Sequence, residues 1–199
     1  MLKLLGRKTS GNVQKVIWLL EELGQPYERE DYGRQFGNTG DAAYLALNPN
    51  GKVPTLLDGD LAIWESNSIL RYLARKSRSA LYPSEFAERS QVERWMDWQL
   101  ASLNNPYMAI FRESKKAPEE RSATLADYGK ELDQQLSILE GALGEGDWII
   151  GSEMSLADIC LGPIVARCLN FPVELSALPK VRAWHERIAA REAFQKATG

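Results

Sequence analysis

The chain has 199 residues, 44% of them hydrophobic and 26% charged, with a net charge of −3. That balance excludes a disordered, collagen-like or rod-like protein and leaves enough chain for one large or two small folded domains. Residues 1–80 carry 11 Lys and Arg against 9 Asp and Glu, and residues 81–199 carry 13 against 18. Neither half concentrates the basic charge that a nucleic-acid backbone requires, so no nucleic-acid partner is expected.

The longest apolar stretch, Ile159 to Ala166, is far too short to span a membrane and contains Gly162 and Pro163. The first residues have the wrong order and length for a secretory signal, so a cytoplasmic protein without membrane association is expected. Cys160 and Cys168 fall in one predicted helix, where their Cα atoms are about 12 Å apart, roughly twice the span of a disulfide. With one histidine, His185, and no Cys-x-x-Cys pair, neither a metal site nor a dithiol redox centre is expected.

In chain order, Met1 to Leu5 reads as a short strand, followed by the polar turn Lys8-Thr9-Ser10-Gly11-Asn12. Val13, Val16, Ile17, Leu20 and Leu23 then have the one-face spacing of an amphipathic helix that Gly24 closes. Tyr27 to Tyr32 is a charged strand suited to a sheet edge, and Gly33 to Asp41 carries no readable pattern. Past the turn Asn48-Pro49-Asn50-Gly51, two apolar runs flank Asp58-Gly59, the signature of a tight hairpin. Ser66 starts the next helix.

Beyond Pro83 only helices are expected. One runs through Val92, Trp95, Met96, Leu100 and Leu103, with a kink at Asn105-Pro106, and another runs from Leu125 to Leu143. A third opens at Ser155 with a capping box closed by Asp158, and a fourth begins near Pro179. The division is a small domain of strands and helices at 1–78, then an all-helical domain at 85–199.

The Asn-Gly-Lys-Val-Pro-Thr-Leu segment at 50–56, Trp-Glu-Ser-Asn-Ser-Ile-Leu at 64–70 and Ser-Leu-Ala-Asp at 155–158 together resemble the glutathione S-transferases over essentially the whole chain. The opening from Ser10 to Glu22 is most similar to the serine-type, theta-like enzymes of bacteria. The resemblance implies an α+β, thioredoxin-like first domain with a mixed four-stranded sheet, a homodimer, and glutathione as co-substrate with no further cofactor. It implies a cis Val53-Pro54 bond, leaving the backbone of Val53 to pair with the extended tripeptide, and Glu65 and Ser66 holding its γ-glutamyl ammonium and carboxylate. Read by itself, Ser66 is an ordinary helix N-cap. Lys52 could meet the glycine carboxylate, although a lysine in a turn is usually only solvated.

A free thiol of pKa about 8.5 is mostly protonated at neutral pH. Lowering it by two units requires about 2.7 kcal/mol; one charge-assisted hydrogen bond supplies about 1.5–3 and a helix N-terminus about 0.3–1. Ser10, between first strand and first helix, is the expected hydroxyl donor. A lone serine there is more commonly a cap or turn residue, and Thr9 is a rival donor. Asn12 is a second donor or a helix cap. The turn holds no tyrosine, unlike the mammalian tyrosine-type classes, and no cysteine, unlike the omega- and beta-like classes.

Trp98, Asn105, Tyr107, Met108 and Phe111 are candidates for a second-substrate pocket between the domains, although such spacing more often marks core. The expected reaction is conjugation of an apolar electrophile, a detoxification chemistry. The Ser10 and Asn12 pairing also resembles the Nu class, which leaves disulfide or peroxide reduction open, and a non-catalytic binding or interaction module on this fold is the third reading.

Overall fold

The computed structural model describes residues 1–199. They form two units, one of residues 1–82 with 189–199 and one of residues 83–188.

The first unit is built on a four-stranded sheet of order β2-β1-β3-β4, from β1 (Leu2–Leu5), β2 (Tyr27–Glu30), β3 (Thr55–Asp58) and β4 (Leu61–Trp64). β1 runs parallel to β2 and antiparallel to β3, and β3 and β4 form the hairpin. The turn lies one residue later than the sequence suggested: Asp58 stays in the strand opposite Leu61, and Gly59 and Asp60 make the reversal. Gly59 has the positive φ, +60°, that the first position of a type II′ hairpin turn demands. β2 is the expected edge strand, alternating half-buried Tyr27 and Arg29 with exposed Glu28 and Glu30.

Helices α1 (Gly11–Glu22) and α3 (Ser66–Lys76) pack together, with Val13, Val16, Ile17, Ile69, Leu70 and Leu73 buried. A short helix, α2 (Ala42–Leu47), lies in the stretch with no readable pattern.

The chain end departs from the expected division. Residues 85–199 were grouped as one domain, but residues 189–199, including the last helix α9 (Glu192–Thr198), belong to the first unit, packed on α1. Phe194 meets Trp18 edge-on at 4.9 Å, and Arg191 grips Glu22 with Nε at 2.6 Å and Nη2 at 2.7 Å. Covered on both sides, α1 buries an unbroken run from Val13 to Leu20, Lys15 and Trp18 included. That is why a one-face pattern understates its burial.

The second unit contains α4 (Phe86–Trp98), a π-helical segment at Gln99–Leu103, α5 (Asn104–Glu113), α6 (Leu125–Ala142), α7 (Leu156–Cys168) and α8 (Pro179–Ala189). The π segment precedes the Asn105-Pro106 pair at which a kink is expected. The backbone stays helical from α4 through Leu103 and Asn104, so Pro106, the third residue of α5, lies within continuous helical backbone just after the π turn. α7 is buried almost throughout, so it reads as continuously apolar.

The capping box forms as read. Asp158, fully buried, accepts from the N–H of Ser155 at 2.8 Å and of Ile149 at 3.1 Å, from Ser155 Oγ at 3.1 Å and from Trp184 Nε1 at 2.9 Å. Burial pushes its carboxyl pKa up, opposed by those four donors. The role of Asp158 is to tie α7, α8 and the 149 loop together. Both cysteines are free and buried; Cys160 donates to Gln99 at 3.7 Å, and burial raises the Cys168 thiol far out of reactive range. His185 is half-buried, and burial lowers its pKa. No helix is long and apolar enough to cross a membrane.

Candidate functional site

Ser10 occupies the N-cap position of α1 with extended backbone (φ −87°, ψ 125°), yet its side chain makes no capping bond. Its carbonyl accepts from Gln14 at 2.9 Å, which starts the helix, and its N–H donates to Arg7 at 3.1 Å. The backbone therefore forms the cap while the hydroxyl, on a residue 9% exposed, remains available beside the N–H groups of the first turn. Ser10 is thus the cap residue through its backbone, while its hydroxyl makes no capping bond. Asn12 is the second residue of α1 and exposed, so the N-cap is Ser10 and not Asn12. Thr9 is exposed in the turn ahead.

The Val53-Pro54 peptide bond is cis. Neither backbone group of Val53 is hydrogen-bonded within the chain. Val53 lies against the turn that carries Ser10: a Cβ added at Gly6 would come within 3.4 Å of Val53 Cβ and 2.6 Å of Val13 Cγ2. Gly33 also approaches it: a Cβ there would meet Val53 Cγ1 at 3.4 Å and Arg7 Nη1 at 2.7 Å. The glycines admit a close approach, and the turn, the start of α1 and the Val53 backbone converge within the first unit.

Two side chains that the sequence reading missed fix this segment. Tyr44, on α2, donates its hydroxyl to the Lys52 carbonyl at 2.6 Å and meets Thr55 Oγ1 at 2.9 Å. Asn48 Nδ2 reaches the same two acceptors at 2.7 and 3.0 Å. Burial raises the pKa of Tyr44, which keeps the phenol protonated as a donor. The Asn48-Pro49 turn was legible, but nothing marked Tyr44 as part of it. The Lys52 side chain is exposed.

The start of α3 also differs from its reading. Ser66 is the first helical residue, not the N-cap; that position belongs to Glu65, at φ 67° and ψ 114°. A non-glycine residue held there is strained, and such strain gathers at functional positions. Glu65 is exposed and receives Asn50 Nδ2 at 3.4 Å, whereas Ser66 and Asn67 are buried. Asn67 in turn accepts from Lys15 Nζ at 3.4 Å, a lysine with no solvent exposure. α1 and α3 thus each present a helix N-terminus with a hydroxyl residue at its edge.

The five residues read as a second-substrate pocket spread over the end of α4 and along α5. Trp98 is half-buried, edge-on to Trp95 at 5.1 Å. Asn105 is exposed, donating to Glu131 at 3.4 Å. Tyr107 is buried, with Phe111 at 5.9 Å and Phe171 at 5.7 Å, so it belongs to the core of its unit. Met108 and Phe111 are half-buried.

A thioredoxin-like sheet with a cis-proline before its third strand, two helix N-termini and an attached helical unit define a thiol-peptide-handling class of protein. Residues 1–75 match the family model of the glutathione S-transferase N-terminal domain and residues 103–192 that of the C-terminal domain. The chain belongs to the glutathione S-transferase family. It is 38% identical to glutathione S-transferase GstB of Escherichia coli over 98% of this chain and 97% of that one. It is also 38% identical, with a TM-score of 0.94, to the theta class glutathione S-transferase of Xanthomonas axonopodis pv. citri solved with glutathione bound, covering 99% of this chain and 96% of that one. A further relative is the disulfide-bond oxidoreductase YfcG of Escherichia coli, 29% identical over 94% of this chain and 89% of that one.

Proposed function

We propose that the protein is a glutathione transferase that activates the glutathione thiolate for attack on an apolar electrophile. The observation that carries this reading is Ser10: a nearly buried hydroxyl at a helix N-terminus, left out of the cap. One hydrogen bond to a thiolate plus the helix end supplies about the free energy that a two-unit pKa drop requires. Asn12, exposed on the same turn, is the second donor.

The tripeptide runs along Val53 ahead of Pro54, whose neighbouring N–H and C=O add it to the sheet as a short strand. Its γ-glutamyl carboxylate sits at Ser66 and the N-terminus of α3, its ammonium at Glu65 and its glycine carboxylate at Lys52. The electrophile is received by Trp98, Asn105, Met108 and Phe111, with Tyr107 behind them. The working form is a homodimer in the cytoplasm, serving detoxification. Support for pairing comes from Leu61 and Trp64 on the edge strand β4, 49% and 39% exposed.

The test is thiolate absorbance against pH for bound glutathione, in the wild type and in Ser10→Ala. A bound-thiol pKa well below the free value, rising toward it in the variant, is expected. An unshifted wild-type pKa overturns the reading in favour of a binding module.

A second reading, glutathione-dependent disulfide reduction, is favoured by the similarity to YfcG. Product analysis separates the two: conjugation leaves a thioether, reduction leaves glutathione disulfide.

A further inference from the structure

In the first unit the buried polar side chains, tyrosines aside, fall at three places. Ser10, Gln14 and Lys15 lie at the cap and in the first half of α1, a pair lies beside the cis-proline, and Ser66 and Asn67 open α3. These are the segments assigned to the thiol peptide. Lys15 is the one charged residue among them, and it has no solvent exposure. Its Nζ lies 3.4 Å from Asn67 Oδ1, so the ammonium bridges the two packed helices whose N-termini are assigned the thiolate and the γ-glutamyl carboxylate.

Folding alone does not call for a cation at this position. Lysine is rarely fully buried, and taking an ammonium out of water is costly even after the surroundings relax. The acceptor that Lys15 meets on α3 is a neutral carboxamide, and that bond leaves its charge uncancelled. An apolar side chain of the same length would pack α1 against α3 at lower cost, because replacing buried ionic groups by well-packed apolar ones is often neutral or stabilising. With no exposed surface, Lys15 reaches no ligand directly. It acts through its field, which a low-dielectric interior transmits further than water does.

We propose that Lys15 is a positioning residue for the anionic groups of the thiol peptide: its buried charge, set in place by Asn67, favours the two anions held at the N-termini of α1 and α3. The inference rests on the assignment of those helix ends to glutathione. The labour is divided with Ser10, which meets the sulfur through a directed hydrogen bond, whereas Lys15 works from behind the site without contact. A fixed charge of this kind needs no reorganisation when the thiolate forms.

The test compares wild type, Lys15→Met and Lys15→Gln. Methionine keeps much of the length and removes the charge; glutamine removes the charge but keeps a donor for Asn67. Three quantities are measured: the thermal midpoint, the bound-thiol pKa from thiolate absorbance of the glutathione complex, and the affinity for S-hexylglutathione, which retains the γ-glutamyl carboxylate and has no free thiol. Both variants are expected to fold, to raise the bound-thiol pKa by about half a unit or more and to weaken S-hexylglutathione by about threefold or more. Wild-type pKa and affinity in both variants overturn the proposal and leave the role of Ser10 standing. Wild-type values in Lys15→Gln alone assign the effect to the hydrogen bond with Asn67 and overturn the role of the charge. Failure of both variants to fold shows a structural tie between α1 and α3 and overturns it as well. A wild-type bound thiol with the pKa of free glutathione defeats the glutathione reading itself, and the part of Lys15 with it.

Discussion

The hydroxyl of Tyr44 donates to the carbonyl of Lys52 at 2.6 Å, fixing from a six-residue helix the segment that leads into Val53 and Pro54. Removing that hydroxyl deletes the bonds to Lys52 and Thr55 but leaves Asn48 on the same two acceptors. At about 0.5–1.5 kcal/mol per net hydrogen bond, Tyr44→Phe should raise the KM for glutathione roughly 2- to 10-fold. The kcat should hardly change, because Tyr44 supports ground-state and transition-state binding alike. Steady-state kinetics at varied glutathione checks this; a fall in kcat at constant KM contradicts the assigned role.

Glu65 sets a function against stability. At φ 67° its backbone is strained by about 1–3 kcal/mol. Glu65→Gly relieves the strain, offset in part by the chain entropy of glycine, and should raise unfolding free energy by about 1 kcal/mol. It should also weaken glutathione binding by removing the carboxylate that the proposed function assigns to the ammonium. Glu65→Ala should weaken binding without the gain in stability. Denaturant unfolding of both variants separates the effects, and a Glu65→Gly variant no more stable than Glu65→Ala rules out the strain.

These two residues also mark how far sequence reasoning reaches. The succession of strands and helices along the chain, the edge position of β2, the hairpin and the Ser155 box were legible, because each depends on local spacing, charge or turn chemistry. Tyr44 was not, since its task is defined by acceptors 8 and 11 residues away. Lys15 was not, because α1 is packed against both α3 and α9 and its burial, with Asn67 of α3 as acceptor, depends on residues distant in sequence. Pro106 drew attention away from the π segment before it, which has no residue signature of its own. Ser66 looked like a cap because serine usually is one; only the backbone angles of Glu65 place the cap a residue earlier.

The clamp between α1 and α9 should make stability depend on acid pH. Burial alone would raise the Glu22 carboxyl, but the hydrogen bonds from Arg191 and Trp18 outweigh it and hold the pKa below the ordinary carboxylate range. A carboxyl depressed in the folded chain stabilises fully above its unfolded pKa, near 4.3, and that contribution is lost as pH falls through the lower folded value. Glu22→Gln should therefore flatten the acid limb of stability below about pH 4.3. Arg191→Ala should cost about 1–3 kcal/mol at neutral pH through lost charge-assisted bonds. Urea unfolding at several pH values is the measurement, and an acid limb identical in Glu22→Gln and wild type removes Glu22 as its source.

Gly6 couples packing to the site. A methyl group there would come within 2.6 Å of Val13 Cγ2 and 3.4 Å of Val53 Cβ. Val13 cannot swing aside, because a β-branched side chain in a helix has essentially one rotamer, and Val13 is fully buried. The strain must therefore move α1, Val53 or both, at about 1–3 kcal/mol for an overpacked core. Gly6→Ala should destabilise the chain by that amount and raise the KM for glutathione, since Val53 supplies the backbone groups assigned to the tripeptide. Adding Val13→Ala removes the closer clash, so the double variant should bind glutathione better than Gly6→Ala alone, a non-additivity expected only of residues in contact. If Gly6→Ala leaves KM unchanged while lowering stability, Val53 stays in place under load and the tripeptide site is more rigid than this packing implies.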